Sequence, residues 1–172
     1  MLNSRQMDKI GAVAAADLER NVLVFQETLK LIEEGHKRIL LFAASVEQAR
    51  RLAFMFRFYG IDAVSVDSQT SPAARREAIR HYKTSVEALP KPIIICNYNI
   101  LSTGFDAPQT SAVLVARVTA SLILYSQMVG RALRGEKASG NKKAVVATVI
   151  DAELPAFWDV EKAFRYWNDH WN

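Results

Sequence analysis

Four short, almost unbroken apolar runs constrain this chain most: Arg38-Ile39-Leu40-Leu41-Phe42-Ala43, Pro92-Ile93-Ile94-Ile95-Cys96, Ala112-Val113-Leu114-Val115-Ala116 and Ala144-Val145-Val146-Ala147-Thr148-Val149-Ile150. A strand with one face in water alternates apolar and polar residues, whereas these runs do not, so they read as strands buried on both faces, as in a parallel sheet. Parallel strands need crossover connections, and helical stretches stand between the runs. From Asp17 to Glu34 the residues Leu18, Val22, Phe25, Leu29 and Ile32 recur at helical spacing, with Asp17 as a cap and Gly35 as a stop. A second helix runs from Val46 to Tyr59 and ends at Gly60, a strand covers Ala63 to Val66, and a third helix opens at Ser71-Pro72 and continues to about Lys83. A fourth is expected from about Ser121 to Leu133. Five strand-like runs alternating with helices predict an α/β domain of three layers, a mostly parallel central sheet flanked by helices.

Residues 1–16 read as a weakly ordered lead-in, 17–150 as the α/β domain, and 151–172 as an aromatic C-terminal helix. Phe157, Trp158, Phe164, Trp167 and Trp171 stand in that last segment, whose net charge of −3 disfavours stacking on nucleic acid and favours packing on the domain or on more of a parent protein. Cys96 cannot form an internal disulfide because it has no second cysteine, and its apolar run marks it as buried and reduced. His36, His81 and His170 lack metal-ligand spacing and read as surface residues; no metal site is expected. No apolar stretch approaches the roughly 18 residues of a membrane span, and the N-terminus lacks signal-peptide layout, so a cytoplasmic protein without a membrane partner is expected.

The net charge of +4 is unevenly spread: residues 107–150 hold six basic side chains against one acidic. Clustered cations point to a polyanionic partner. Two segments there and just upstream carry the chemistry. In Ser102-Thr103-Gly104-Phe105-Asp106, the glycine permits close approach, Thr103 offers a hydroxyl, and Asp106 offers an acceptor for ribose hydroxyls or an arginine. In Gln127-x-x-Gly130-Arg131-x-x-Arg134, the spacing places an amide and two guanidiniums on one helix face, with a glycine in the helix interior that suits close approach of a partner. Guanidinium forks bind phosphate oxygens in pairs, which makes a phosphate the natural ligand.

These residues resemble the motifs of superfamily 2 helicases. Gln127-x-x-Gly130-Arg131-x-x-Arg134 is similar to motif VI, Ser102 to Asp106 to motif V, Arg38 to Val46 to motif IV with its strand, and Arg76-x-x-Ile79-x-x-Tyr82 to the helix between them. The resemblance spans about residues 17–150 and implies the second RecA-like domain of a DEAD/DEAH-box or restriction-enzyme-type ATPase. It implies Arg134 as the arginine finger on the γ-phosphate of ATP, Arg131 as its neighbour sensing nucleotide, and Gln127 as holding that network. Gly104, Asp106 and Gly130 would serve the nucleotide, while Thr103 and Ser45 would hold a DNA or RNA backbone. Where many relatives have His-Gly after the second strand, this chain has Val66-Asp67-Ser68, and no site is assigned there.

A complete ATPase of this class also needs Gly-x-x-x-x-Gly-Lys-[Ser/Thr] and an acidic strand for magnesium, and the sequence contains neither. The chain is therefore expected to be half of an active site, with ATP and Mg2+ held mainly by an N-terminal RecA-like domain of a longer parent protein, and to be inactive alone. A non-catalytic nucleic-acid- or protein-binding α/β module is the alternative. It has no use for a finger geometry. A self-sufficient α/β enzyme is disfavoured because no Cys/His or Ser/His pair stands at the strand ends.

Overall fold

The structure, a computed structural model, describes residues 4–84, 91–99, 109–130, 144–153 and 162–164. The elements in chain order are α1 (Ser4–Ala16), α2 (Leu18–Glu33), β1 (Arg38–Phe42), α3 (Val46–Phe58), β2 (Asp62–Val66), α4 (Pro72–Tyr82), β3 (Ile93–Asn97), β4 (Ala112–Val115), α5 (Leu122–Val129) and β5 (Val145–Thr148). All strand pairs are parallel, in the order β2-β3-β1-β4-β5. The expected three-layer α/β architecture is what the chain forms.

The unbroken apolar runs are buried on both faces, as a covered parallel sheet requires. Leu40, Phe42, Ile93, Ile95, Val113 and Val115 point to one side and pack on Ala78 and Tyr82 of α4 and on Tyr125, Met128 and Val129 of α5. Their chain neighbours Ile39, Leu41, Ile94, Cys96, Ala112 and Leu114 point to the other and meet Val24, Phe25 and Leu31 of α2 and Leu52 and Phe56 of α3. Burying each of the larger side chains contributes on the order of 1.5–3 kcal/mol. Cys96 is fully buried, and burial raises its thiol pKa.

Four helices begin the same way, with a side-chain oxygen accepting a free backbone N–H of the first turn. Asp17 accepts from Arg20 N at 2.9 Å, Ser45 from Gln48 N at 3.0 Å, Ser71 from Ala74 N at 3.2 Å and Ser121 from Leu124 N at 3.2 Å. Gly35 and Gly60 follow α2 and α3 with φ of +96° and +75°, the left-handed stop that a side chain disfavours.

One expectation needs correction. The lead-in is not weakly ordered: residues 4–16 form α1, whose Ala14 and Ala15 are buried against Ala44 and Val118. His81 lies at the surface as expected, with its Nε2 2.6 Å from the Asp62 carboxylate. Of the tail's aromatics Phe164 alone lies among the described residues, and its ring sits edge-on to Tyr125 at 5.5 Å. His170 lies outside them. Among the described residues no helix is long and apolar enough to cross a membrane.

Candidate nucleotide and nucleic-acid interface

The strand order puts β1 in the middle, and the chain leaves it in both directions. From β1 it passes to β2 at one edge, returns to β3, then crosses β1 to reach β4. In such sheets the crevice beyond the carboxyl ends at this reversal is the usual ligand position. The segments following β1, β3 and β4 meet α1 there around a cleft of roughly 840 Å³, bordered by Asp8, Gly11, Ala44, Tyr98, Arg117 and Ser121.

Ser45 stands at this edge, partly exposed, as the cap of α3. Its oxygen accepts the Gln48 amide, which leaves the hydroxyl proton for an acceptor such as a phosphate oxygen. The turn holding Ser45 is pinned from beneath. Ala44 N donates to Gln48 Oε1 at 2.6 Å, Gln48 Nε2 donates to Asn21 Oδ1 at 2.7 Å, and Asn21 Nδ2 donates to Ala15 O at 2.9 Å. This buried relay joins the β1–α3 turn to α2 and to the end of α1. Sequence reasoning missed it, since Asn21 and Gln48 lie 27 positions apart.

A second cluster was also missed. Arg117, which follows β4, lies over the Tyr98 ring with its guanidinium carbon 4.8 Å from the ring centroid. Arg117 Nη1 donates to Asn99 Oδ1, and Asn99 takes a left-handed φ of +64°. The Tyr98 hydroxyl donates to Asp8 Oδ1 of α1 at 3.1 Å. Burial lowers the Arg117 pKa, and the charge of Asp8 works against that shift. An aromatic face beside a cation can hold a base and its phosphate. The only sequence signal was an Arg directly after a buried strand.

Of the motif VI residues, Gln127 is half-buried in the last turn of α5 and Gly130 is the exposed cap that ends it. The helix expected to continue to Leu133 is observed to Val129, so Gly130 is not in a helix interior. Its backbone (φ −59°, ψ −11°) is ordinary, and among the described residues an added Cβ would meet the carbonyl oxygens of Ser126, at 3.0 Å, and Gln127, at 3.9 Å. α5 begins at Ser121, which borders the cleft, and Gln127 and Gly130 are not among the residues lining it. Thr103, Gly104, Asp106, Arg131 and Arg134 lie outside the described residues. Among the described residues no three His, Cys, Asp or Glu side chains converge as a metal site would require.

The model of the helicase conserved C-terminal domain matches residues 20–136, more than half of the chain. The chain belongs to this family. Among curated proteins, a 51.5 kDa protein of a Lactococcus phage (isolate 7-9) is 31% identical over 111 residues, covering 64% of this chain and 23% of that protein. The ATP-dependent RNA helicase DRS1 of Saccharomyces cerevisiae is 29% identical over 112 residues, 65% of this chain and 14% of that protein. This helicase C-terminal domain thus spans less than a quarter of the length of those relatives.

Solved structures show the same fold. The DEAD-box protein SrmB of E. coli, bound to regulator of ribonuclease activity A, superposes with a TM-score of 0.66 at 19% identity, covering 83% of this chain and 79% of that one. Domain 2 of the DEAD-box helicase Mss116p, bound to an RNA duplex, gives 0.63 at 18% identity, covering 89% of this chain and 56% of that one. The matched span of the helicase C-terminal domain includes every predicted site residue from Ser45 to Arg134 and excludes α1.

Proposed function

We propose that this domain is the C-terminal motor half of an ATP-dependent superfamily 2 helicase or translocase. The observation that carries the reading is Gln127-x-x-Gly130-Arg131-x-x-Arg134, beginning in the last turn of α5, in a chain of the helicase C-terminal family. ATP supplies a γ-phosphoryl group whose transfer builds charge on its terminal oxygens. Arg134 meets that charge as the finger, Arg131 binds beside it, and Gln127 orients the pair. Asp106 accepts from the ribose, Gly104 allows the backbone to approach it, and Gly130 leaves room at the end of α5. This donor set suits phosphate and sugar oxygens. Magnesium and the β-phosphate belong to an N-terminal RecA-like domain of the parent protein, since the chain has no phosphate loop. Ser45 and Thr103 hold a DNA or RNA backbone by contacts that read phosphate and not base.

In the full-length protein Arg134→Ala is expected to reduce ATP turnover by about 10³–10⁵-fold and to leave ATP binding nearly intact, because the finger acts on charge that develops in the transition state. Arg134→Lys restores little, since an ammonium lacks the planar fork. Lys142→Ala, in the same basic segment, should change nucleic-acid affinity more than hydrolysis. Near wild-type turnover by Arg134→Ala at saturating ATP and nucleic acid would refute the assignment.

A further inference from the structure

We infer that α1 is a displaceable cover, docked through Asp8 on a Tyr98–Arg117 surface that binds single-stranded polynucleotide, so that the polynucleotide must lift α1 to reach Arg117. The inference rests on the reading above that nucleic acid crosses the carboxyl edge of the sheet, and it adds a surface and a competitor to it.

The surface has the chemistry of the ligand. A guanidinium over a phenol ring offers a cation to phosphate and an aromatic face to a base, and the left-handed Asn99 holds that guanidinium from the side. Asp8 already occupies the position with a carboxylate, an acceptor of the same sign of charge as a phosphate, bonded to the Tyr98 hydroxyl. Ser45, the proposed backbone contact, follows directly on Ala44, against which α1 is seated.

The seat is thin. Its buried residues are Gly11, Ala14 and Ala15, with Ile10 half-buried beside them, so it removes only modest apolar surface from water. Gly11 lets the helix lie against the sheet, since a Cβ there would come within 2.8 Å of the Ala44 carbonyl oxygen. The C-terminal end of α1 is tied by the bond from Asn21 to Ala15 O, and Asp17 then takes extended backbone before α2. The helix is thus fastened at one end and held at the other by Asp8. Lys9, which borders a separate cleft, is not among the residues lining this one.

The test uses the complete 172-residue chain and fluorescein-labelled oligo-rU and oligo-dT of ~12 nucleotides at about 50 mM salt, read by anisotropy. Asp8→Asn removes the competing charge, and Gly11→Leu drives the helix off the Ala44 carbonyl, which faster hydrogen exchange of the α1 amides should register. Each is expected to tighten binding by about fivefold or more, and combination with Arg117→Ala should abolish that gain. Fast exchange in Gly11→Leu with unchanged affinity overturns the cover, as does unchanged affinity in Asp8→Asn if Gly11→Leu leaves exchange slow. A gain that survives Arg117→Ala overturns the surface. If no variant binds either probe, the cover and the nucleic-acid reading of this edge both fall. If the probes bind but these variants do not matter, only the cover falls.

Discussion

The two ends of the sheet each bury an arginine, and they do so differently. At the amino end Arg38 is fully buried on β1 and donates to backbone carbonyls: Nε to Tyr82 O at 2.9 Å, Nη2 to Thr84 O at 2.8 Å and Nη1 to Lys37 O at 3.0 Å. It satisfies the last carbonyl of α4, which has no partner within its own helix, and that of Thr84 just beyond. At the carboxyl end Arg20 pairs with Asp151 through two bonds, at 2.8 and 3.0 Å, and donates to Ala116 O at 2.7 Å, while its Nη1 is buried with no partner among the described residues. Arg75 Nε and Asn97 Oδ1 are likewise buried at that end with no partner among the described residues. Such groups cost stability, so a fold keeps them where something other than stability is selected. Arg38 closes its end of the domain, whereas at the opposite end polar atoms of Arg20, Arg75 and Asn97 have no partner among the described residues and a cleft opens.

That contrast can be broken in order of expected effect. Arg38→Met strips the donor from several buried carbonyls at once and should lower unfolding free energy by about 3–5 kcal/mol in chemical denaturation. Arg38→Lys recovers only part, because one ammonium cannot reach all of them. Arg20→Met should cost less, about 1–3 kcal/mol, since Asp151 keeps one-fifth of its side chain in water, and pairing it with Asp151→Asn should be less than additive. Equal losses for the two arginines would erase the distinction between the ends.

Ser45→Ala should cost about 1 kcal/mol through the lost cap alone. Ser45→Asp keeps a capping oxygen and sets a negative charge where the backbone is proposed to lie. Nucleic-acid affinity that falls in Ser45→Asp while thermal stability holds separates the contact from the cap. The final effect is confined to acid. Burial would raise the Asp67 carboxyl, but the Arg50 guanidinium and the amides of Gln69 and Asp67's own turn outweigh it, holding the pKa below the usual 3.8. The contribution of a depressed carboxyl is present above its unfolded value and is lost as pH falls through its folded one. Stability should therefore drop as the pH goes below 3.8, and Asp67→Asn should flatten that limb of a pH-dependent melt.

Strands and crossovers were legible because burial on both faces leaves an apolar run with no alternation, and because the helix starts at Asp17, Ser71 and Ser121 carry capping side chains. The family was legible because motif spacing survives in the sequence whatever the fold does with it. What escaped was set by contacts between distant positions. α1 docks chiefly through glycine and alanine, so its helical stripe of Met7, Ile10, Gly11 and Ala14 is built mostly of small residues and was passed over. Tyr98 and Arg117 meet only because β3 and β4 flank β1. Arg38 heads an apolar run, yet composition rules place a charged residue outside, and only the carbonyls of Tyr82 and Thr84 explain why it is within. Gly130 was placed inside a helix because helical spacing continued past it, whereas α5 stops at the glycine.

The strand order also dictates the chain's history on the ribosome. β1 and β2 are made first, but they are never neighbours: β3 lies between them. A nascent chain that has not yet released Ile93–Asn97 therefore owns two apolar strands and no strand pair. Arrival of β3 creates two ladders at once, and β4 and β5 then add outward on the other side of β1. Truncations ending before Ile93 should yield helices around an unformed sheet, exposed to aggregation, and the domain's first chance to fold comes only when more than half of it has been synthesised.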